Sequence, residues 1–160
     1  VKLEAALVDA LLERWPVARL ATLGPVGPRQ VPVVFGRAGG ALWSPVDGKP
    51  KAGGELARVR HVRADPRVSL LLDHYAEDWR CLWWVAVSGR AGVVEPPDAS
   101  ADREVAGAVA ALRAKYPQYA SVPLLRPPAT LLRIEPLRVR SWCASPEALA
   151  KASASLELPR

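Results

Sequence analysis

The chain has 160 residues but no Met, one Phe, two Cys and two His, and each scarcity removes a class of function. Cys81 and Cys143 are too few and too far apart for a disulfide scaffold or a Cys-rich zinc site. His61 and His74 lack the H-x-x-x-H spacing of a metal helix, so no metal site is expected. There is no G-x-S-x-G elbow, no G-x-G-x-x-G turn and no Walker-type G-x-x-x-x-G-K-[ST], which leaves hydrolase, dinucleotide-fold and P-loop chemistry unsupported. No nucleophilic catalytic side chain is expected. No apolar run approaches the ~18 residues that cross a bilayer. The opening segment Val1 to Trp15 carries Glu4, Asp9, Glu13 and Arg14, unlike the apolar centre of a signal peptide. The expectation is a cytoplasmic protein without membrane contact.

What is present is ordinary in amount and uneven in arrangement. Half the residues are hydrophobic and 24% are charged, the balance of a globular chain with a sizeable core. No Gly/Ser linker divides it, so a single domain is expected, its core over about residues 4–143 and its tail over 144–160. The net charge is +6. From Arg14 to Arg67 there are ten Lys/Arg against three Asp/Glu, a balance of +7 that leaves −1 for the rest. Such concentration suits an anionic partner, for example a phosphorylated cofactor. Nucleic acid is not expected, because the Trp-rich run around Trp79, Trp83 and Trp84 is separate in sequence from the basic block, whereas strand binding interleaves the two.

Leu3, Leu7 and Leu11, with Val8 and Leu12, predict an amphipathic helix over 3–14, ended by Trp15-Pro16. The runs Val17 to Leu23 and Gln30 to Phe35 flank Gly24-Pro25-Val26-Gly27-Pro28 and predict a hairpin, with Gly36 to Gly40 as a second turn before a strand over Ala41 to Val46. A short helix with Leu56, Val59 and Val62 on one face stops at Asp65-Pro66. Val68 to Leu72 reads as a buried strand. The long run Cys81 to Val94 is β-rich, with Gly89 and Gly92 as bends or bulges. A helix over Ser100 to Ala114 has Asp102 and Glu104 at its start and Arg113 and Lys115 at its end, as the helix dipole favours. Thr130 to Ile134 and Arg138 to Trp142 read as two closing strands joined by a turn at Glu135-Pro136. The tally, about six strands with two or three helices, predicts a mainly β fold, a barrel with flanking helices.

Chemistry concentrates where Ala41 to Val46 ends. Trp43-Ser-Pro-Val-Asp-Gly-Lys-Pro-Lys51 brings a hydroxyl and two lysines into a loop, and the next helix presents arginines, which suits a phosphate. Arg58 and Arg60 lie about 200° apart on a helix, so they cannot both face one phosphate, and Arg58 is favoured. Strand alternation sends Trp83 and Trp84 to opposite faces. Trp79, in the preceding loop, is the better candidate for an aromatic wall.

The order Ala18-Arg-Leu-Ala-Thr-Leu, Gln30-Val-Pro-Val-Val-Phe, Trp43-Ser-Pro-Val and Arg58-Val-Arg-His-Val-Arg-Ala-Asp-Pro-Arg-Val-Ser-Leu70 resembles the pyridoxamine 5'-phosphate oxidase-like, FMN-binding split-barrel superfamily. The Asp47-Gly-Lys-Pro-Lys loop, Asp73-His-Tyr-Ala-Glu-Asp-Trp and Leu82-Trp-Trp-Val resemble its F420-dependent oxidoreductase branch. The resemblance implies a six-stranded antiparallel split β-barrel and a homodimer with cofactor at the subunit interface. It implies hydride transfer between reduced F420 and a small conjugated acceptor as the activity. FMN is the alternative cofactor, and an FMN-binding oxidase-like protein or a non-catalytic cofactor-binding protein the alternative reading. Carried over by position, Val31, Pro32 and Val33 lie along the ring and Ser44, Pro45 and Val46 line it. Lys49, Lys51 and Arg58, with Arg60 beside them, meet the phosphate and acidic tail. Arg58 stands where the family commonly has lysine, and His61 where it has asparagine.

Overall fold

Among the described residues, 1–47, 55–96 and 102–147 of a computed structural model, seven strands and three α-helices are present. In chain order they are α1 (Ala5–Arg14), β1 (Ala18–Gly24), β2 (Gly27–Val33), β3 (Gly36–Ala38), β4 (Ala41–Pro45), α2 (Ala57–Ala64), β5 (Arg67–His74), β6 (Trp83–Val94), α3 (Arg103–Lys115) and β7 (Leu131–Cys143). All pairings are antiparallel, and they join the strands into one sheet in the order β2-β1-β5-β6-β7-β4-β3.

Two expectations need correction. The strands number seven against a tally of about six: Gly36–Ala38, read as part of a turn, pairs with β4, while Thr130 to Ile134 and Arg138 to Trp142, read as two strands, lie on one. The sheet also does not close: β2 and β3 end the order without bonding to one another. A physical reason is that Phe35, between β2 and β3, uses its amide and carbonyl on the Tyr116 hydroxyl and not on a strand ladder. The N-terminal segment is tied to the sheet at two places. At one end Val1 exchanges backbone hydrogen bonds of 2.8 Å with Cys143 at the end of β7. At the other, Asp9 pairs with Arg37 of β3 at 2.7 Å. Leu11 and Leu12 on the inner side of α1 are buried, as their spacing predicted.

The turn expected at Glu135-Pro136 is instead a bend inside one thirteen-residue strand. The β6–β7 register shifts at Ser88/Gly89, opposite Pro136. Pro has no N–H for the ladder, so a bulge is where a central strand can hold it. Gly89 makes room for this, since a Cβ there would lie 2.3 Å from the Glu135 carbonyl oxygen. Beyond the bend β7 leaves β6 as its only partner, and before it β7 also carries β4. The two long strands thus connect the two ends of the molecule.

Alternation divides the sheet into two faces. Ala18 and Leu20 of β1, Leu70 and Leu72 of β5 and Val85 and Val87 of β6 point into the main core with Val59 and Val62 of α2. A second core forms where Val105, Ala108 and Leu112 of α3 pack on Ala41, Trp43 and Leu131. Tyr116 ties the two together. Its hydroxyl accepts from the Phe35 amide at 3.0 Å and lies 2.9 Å from both the Pro16 and Phe35 carbonyls.

Candidate functional site

The end of β4 runs between the two cores, and polar groups are buried there. Ser44 is 1% and Asp47 3% exposed. Ser44 shares the main-core side with Leu42, and one strand step on, Val46 is held by the Thr130 carbonyl at 3.0 Å. The Asp47 carboxylate accepts from the Tyr119 hydroxyl at 2.9 Å. Burial, followed by the hydrogen bond to Asp47, pushes the Tyr119 pKa well above the usual phenol range, so this hydroxyl stays a donor.

Facing this corner is α2, whose orientation is set by its docking. Val59 and Val62 enter the main core, and His61 Nδ1 lies 2.9 Å from the buried Thr22 Oγ1 of β1. A Cβ on Gly24 would come within 2.8 Å of the His61 ring. His61 is therefore half-buried and packed. Arg58 lies one turn before His61 on the neighbouring side of the helix. It is half-buried, and Asp47 offsets part of the desolvation that lowers its pKa.

Two side-chain atoms among the described residues are fully buried without a hydrogen-bond partner, Ser44 Oγ and Arg58 Nε. Leaving a buried donor or acceptor unmade costs about 1–3 kcal/mol, more for a charged group. Both orphans belong to the elements that flank residues 48–54, and both are residue types that bind phosphate oxygens.

The structure places the other predicted residues as follows. Pro45 is buried at the end of β4 and Val46 half-buried beyond it. Arg60 is exposed and its guanidinium bonds to the Glu55 carbonyl, away from the face that Arg58 shares with His61. Lys49 and Lys51 lie outside the described residues. Val31, Pro32 and Val33 form the last part of β2, which among the described residues pairs only with β1 and so leaves one backbone edge open there. Pro32 suits such an edge, since its missing N–H is not needed by the ladder. Trp79 is 70% exposed on the turn before β6, whereas the β4 corner adjoins the other end of β6, where Val94 pairs with Leu131 and Leu131 with Pro45. That separation is roughly 35 Å along the strand at ~3.3 Å per residue. One chain does not bring Trp79 and Arg58 together.

The Trp79 end carries a different feature. A cavity of about 430 Å³ opens on the outer sheet face among Leu71, His74, Tyr75, Trp84, Ala86 and Trp142. Trp84 and Trp142 are cross-strand partners. His74 stacks near Trp83 at 6.5 Å between centroids and meets Trp15 edge-on. A larger cavity of about 630 Å³ lies beneath α1, where Asp9 and Arg37 already pair with one another; the buried polar atoms without partners lie at the β4 corner.

Asp47 and Tyr119 were missed as site residues. Asp47 was visible in the loop motif, but Tyr119 is 72 residues away and nothing local marks it.

Comparison with known proteins follows the fold. No curated protein matches the sequence. Among solved structures, a conserved hypothetical protein, Rv2991 from Mycobacterium tuberculosis, is 24% identical with a TM-score of 0.64, covering 99% of this chain and 90% of its own. The heme storage protein HutZ from Vibrio cholerae is 14% identical with a TM-score of 0.63, covering 89% and 95%. An F420 reductase is 20% identical with a TM-score of 0.55, covering 82% and 94%. These likenesses establish a shared fold on which differently named proteins are built. The sequence itself matches the pyridoxamine 5'-phosphate oxidase family over residues 5–143. The chain therefore belongs to the pyridoxamine 5'-phosphate oxidase family.

Proposed function

We propose that this protein is an F420-dependent oxidoreductase acting as a homodimer, which transfers hydride between reduced F420 and a small conjugated acceptor. The observation that carries the reading is the pair of buried, unpartnered polar atoms, Ser44 Oγ and Arg58 Nε, at the β4–α2 corner. A phosphate oxygen accepts from both, and the charge-assisted bond to Arg58 is the stronger. The concentrated +7 between Arg14 and Arg67 favours a cofactor with a phosphodiester and an acidic tail over one with a lone phosphate.

The chain's own groups then have distinct tasks. Arg58 and Ser44 hold the phosphate, with Lys49 and Lys51, between them in sequence, meeting the tail. The open edge of β2 at Val31 to Val33 offers peptide groups to the ring, and Pro45 and Val46 keep the neighbouring surface apolar and dry. Bound F420 supplies the hydride, which leaves the protein to position donor and acceptor and exclude water. No nucleophile is needed. Trp79 reaches such a site from a second subunit, and the apolar face bearing Trp84 and Trp142 suits a copy of the same chain, since large exposed apolar patches mark interaction surfaces.

The test is calorimetric titration of purified protein with F420, FMN and hemin in parallel at physiological salt. Micromolar or tighter binding of F420 with weaker binding of the others is expected. Preference for FMN or hemin, or binding of none, overturns the reading.

A further inference from the structure

We propose that the cavity at the Trp83 end of β6 is a binding site for a planar aromatic or conjugated carboxylate, whose rings meet Trp84 and Trp142 and whose charge meets Arg140. That this ligand is the hydride acceptor rests on the oxidoreductase reading, in which Trp79 of this end reaches the cofactor of a second subunit; the binding itself does not. Strand register fixes the arrangement. Asp73, Trp84 and Trp142 form one row across β5, β6 and β7, and Leu71, Ala86 and Arg140 form the next. Residues two apart on a strand share a face and directly opposed residues stand about 5 Å apart, so all of these lie together on the outer side of the sheet. Leu71 and Ala86 are short beside the indoles, which leaves a hollow of about 430 Å³ walled by Trp84 and Trp142. That volume falls in the range of small-molecule sites, roughly 300–1,000 Å³. A second subunit seated on the rings would roof the hollow without filling it.

The charges on this face are unequal. Asp73, the one acid lining the hollow, is paired with Arg19 at 3.0 Å. Arg140, opposite Ala86, is exposed and has neither an ion pair nor a hydrogen bond among the described residues, and Arg138, opposite Ser88 on the same face, is left in the same way. A cation at the edge of an aromatic hollow selects an anion, and the hollow requires that the anion be carried on a flat apolar body. The planar guanidinium matches a carboxylate with two parallel hydrogen bonds. The rings supply most of the affinity, because an exposed ion pair adds about fivefold at most. Arg140 supplies the choice of a carboxylate over a neutral group.

The experiment titrates the purified protein, without cofactor, against three ligands by calorimetry: 2-naphthoate, its neutral isostere 2-naphthamide, and cyclohexanecarboxylate, an anion with no aromatic face. Wild type is expected to bind 2-naphthoate about fivefold more tightly than 2-naphthamide, with cyclohexanecarboxylate the weakest of the three. Arg140→Gln should bring the two naphthyl ligands to the same affinity, and Arg140→Lys, which keeps the charge, should retain the preference. Trp142→Leu should weaken both naphthyl ligands about tenfold and leave their ratio unchanged. Equal wild-type affinities for 2-naphthoate and 2-naphthamide overturn the proposal, and so does a preference that survives Arg140→Gln. Naphthyl binding that Trp142→Leu leaves untouched puts the ligand elsewhere and overturns it too. Absence of any binding, the result if a second subunit fills the hollow, does the same. Because these titrations contain no F420, a protein that binds 2-naphthoate as expected but not F420 would keep this site and lose its role as the acceptor site.

Discussion

The two ends of β6 present opposite imbalances. At the Val94 end, two polar atoms of the described residues, Ser44 Oγ and Arg58 Nε, are buried without partners. At the Trp83 end, apolar surface is left in water: Tyr75 is 78% and Trp142 38% exposed, over a cavity floored by Leu71 and Ala86. An orphaned buried donor calls for a small polar ligand, because only a partner with its own acceptors repays the lost hydration. An exposed aromatic face calls for an extended apolar surface, which a protein supplies and a small anion does not. One strand pair, β6 and β7, joins both regions, so two unlike surfaces are built on one continuous element.

The comparison breaks most severely at the aromatic end. The double substitution Trp84→Asp and Trp142→Asp should convert a dimer to monomer in analytical ultracentrifugation and lower cofactor affinity more than a hundredfold, since burying an unpaired charge in an interface costs several kcal/mol. An unchanged dimer would place the interface elsewhere. At the polar end, Arg58→Ala should weaken F420 binding by ~1.5–3 kcal/mol through loss of a charge-assisted hydrogen bond, measured by titration with the fold checked by circular dichroism.

A half-buried cation sharpens the contrast because it lies at neither end. Lys115 places its ammonium 3.6 Å from the Phe35 ring centroid and 3.4 Å from the Leu12 carbonyl. Burial depresses its pKa from 10.5 to about 7, with Glu13 opposing. The unfolded chain holds this proton up to its higher pKa and the folded chain releases it near 7, so between those values the unfolded state binds more protons. Stability is therefore expected to rise as pH increases from about 7 toward 10.5. Lys115→Met should flatten that rise and stabilise the fold by ~1–2 kcal/mol at pH 8, read from denaturant unfolding at several pH values. A wild-type profile flat over that range would show that the amine is solvated. The smallest effect belongs to Arg60→Ala, expected to change F420 affinity by less than ~0.5 kcal/mol, the ordinary range for an exposed position. A loss equal to that of Arg58→Ala would mean that the helix presents its other face to the ligand.

Much of this arrangement was legible along the chain because its signals are local. Leu3, Leu7 and Leu11 marked α1, Val59 and Val62 marked the buried side of α2, and Asp102 marked the start of α3, where its carboxylate accepts from the Glu104 and Val105 amides. The distinction between Arg58 and Arg60 followed from helical periodicity alone. Pro136 misled for an equally local reason. An acidic residue before proline resembles a turn, and only the glycine across the sheet reveals that the strand continues through it.

The sequence by itself determined the family, the β-rich architecture and the basic block, since these depend on residue type and on periods of two and 3.6. Tertiary structure alone decided that the sheet stays open, that His61 is packed against Thr22, and that Asp47 is gripped by Tyr119 from 72 residues away. It also decided that Trp79 and Arg58 stand at opposite ends of one chain. The physical reason is the same in each case. Hydrogen-bond satisfaction and burial are properties of the space around an atom, and in a sheet whose neighbours are distant in sequence, that space is filled by residues no local pattern can name.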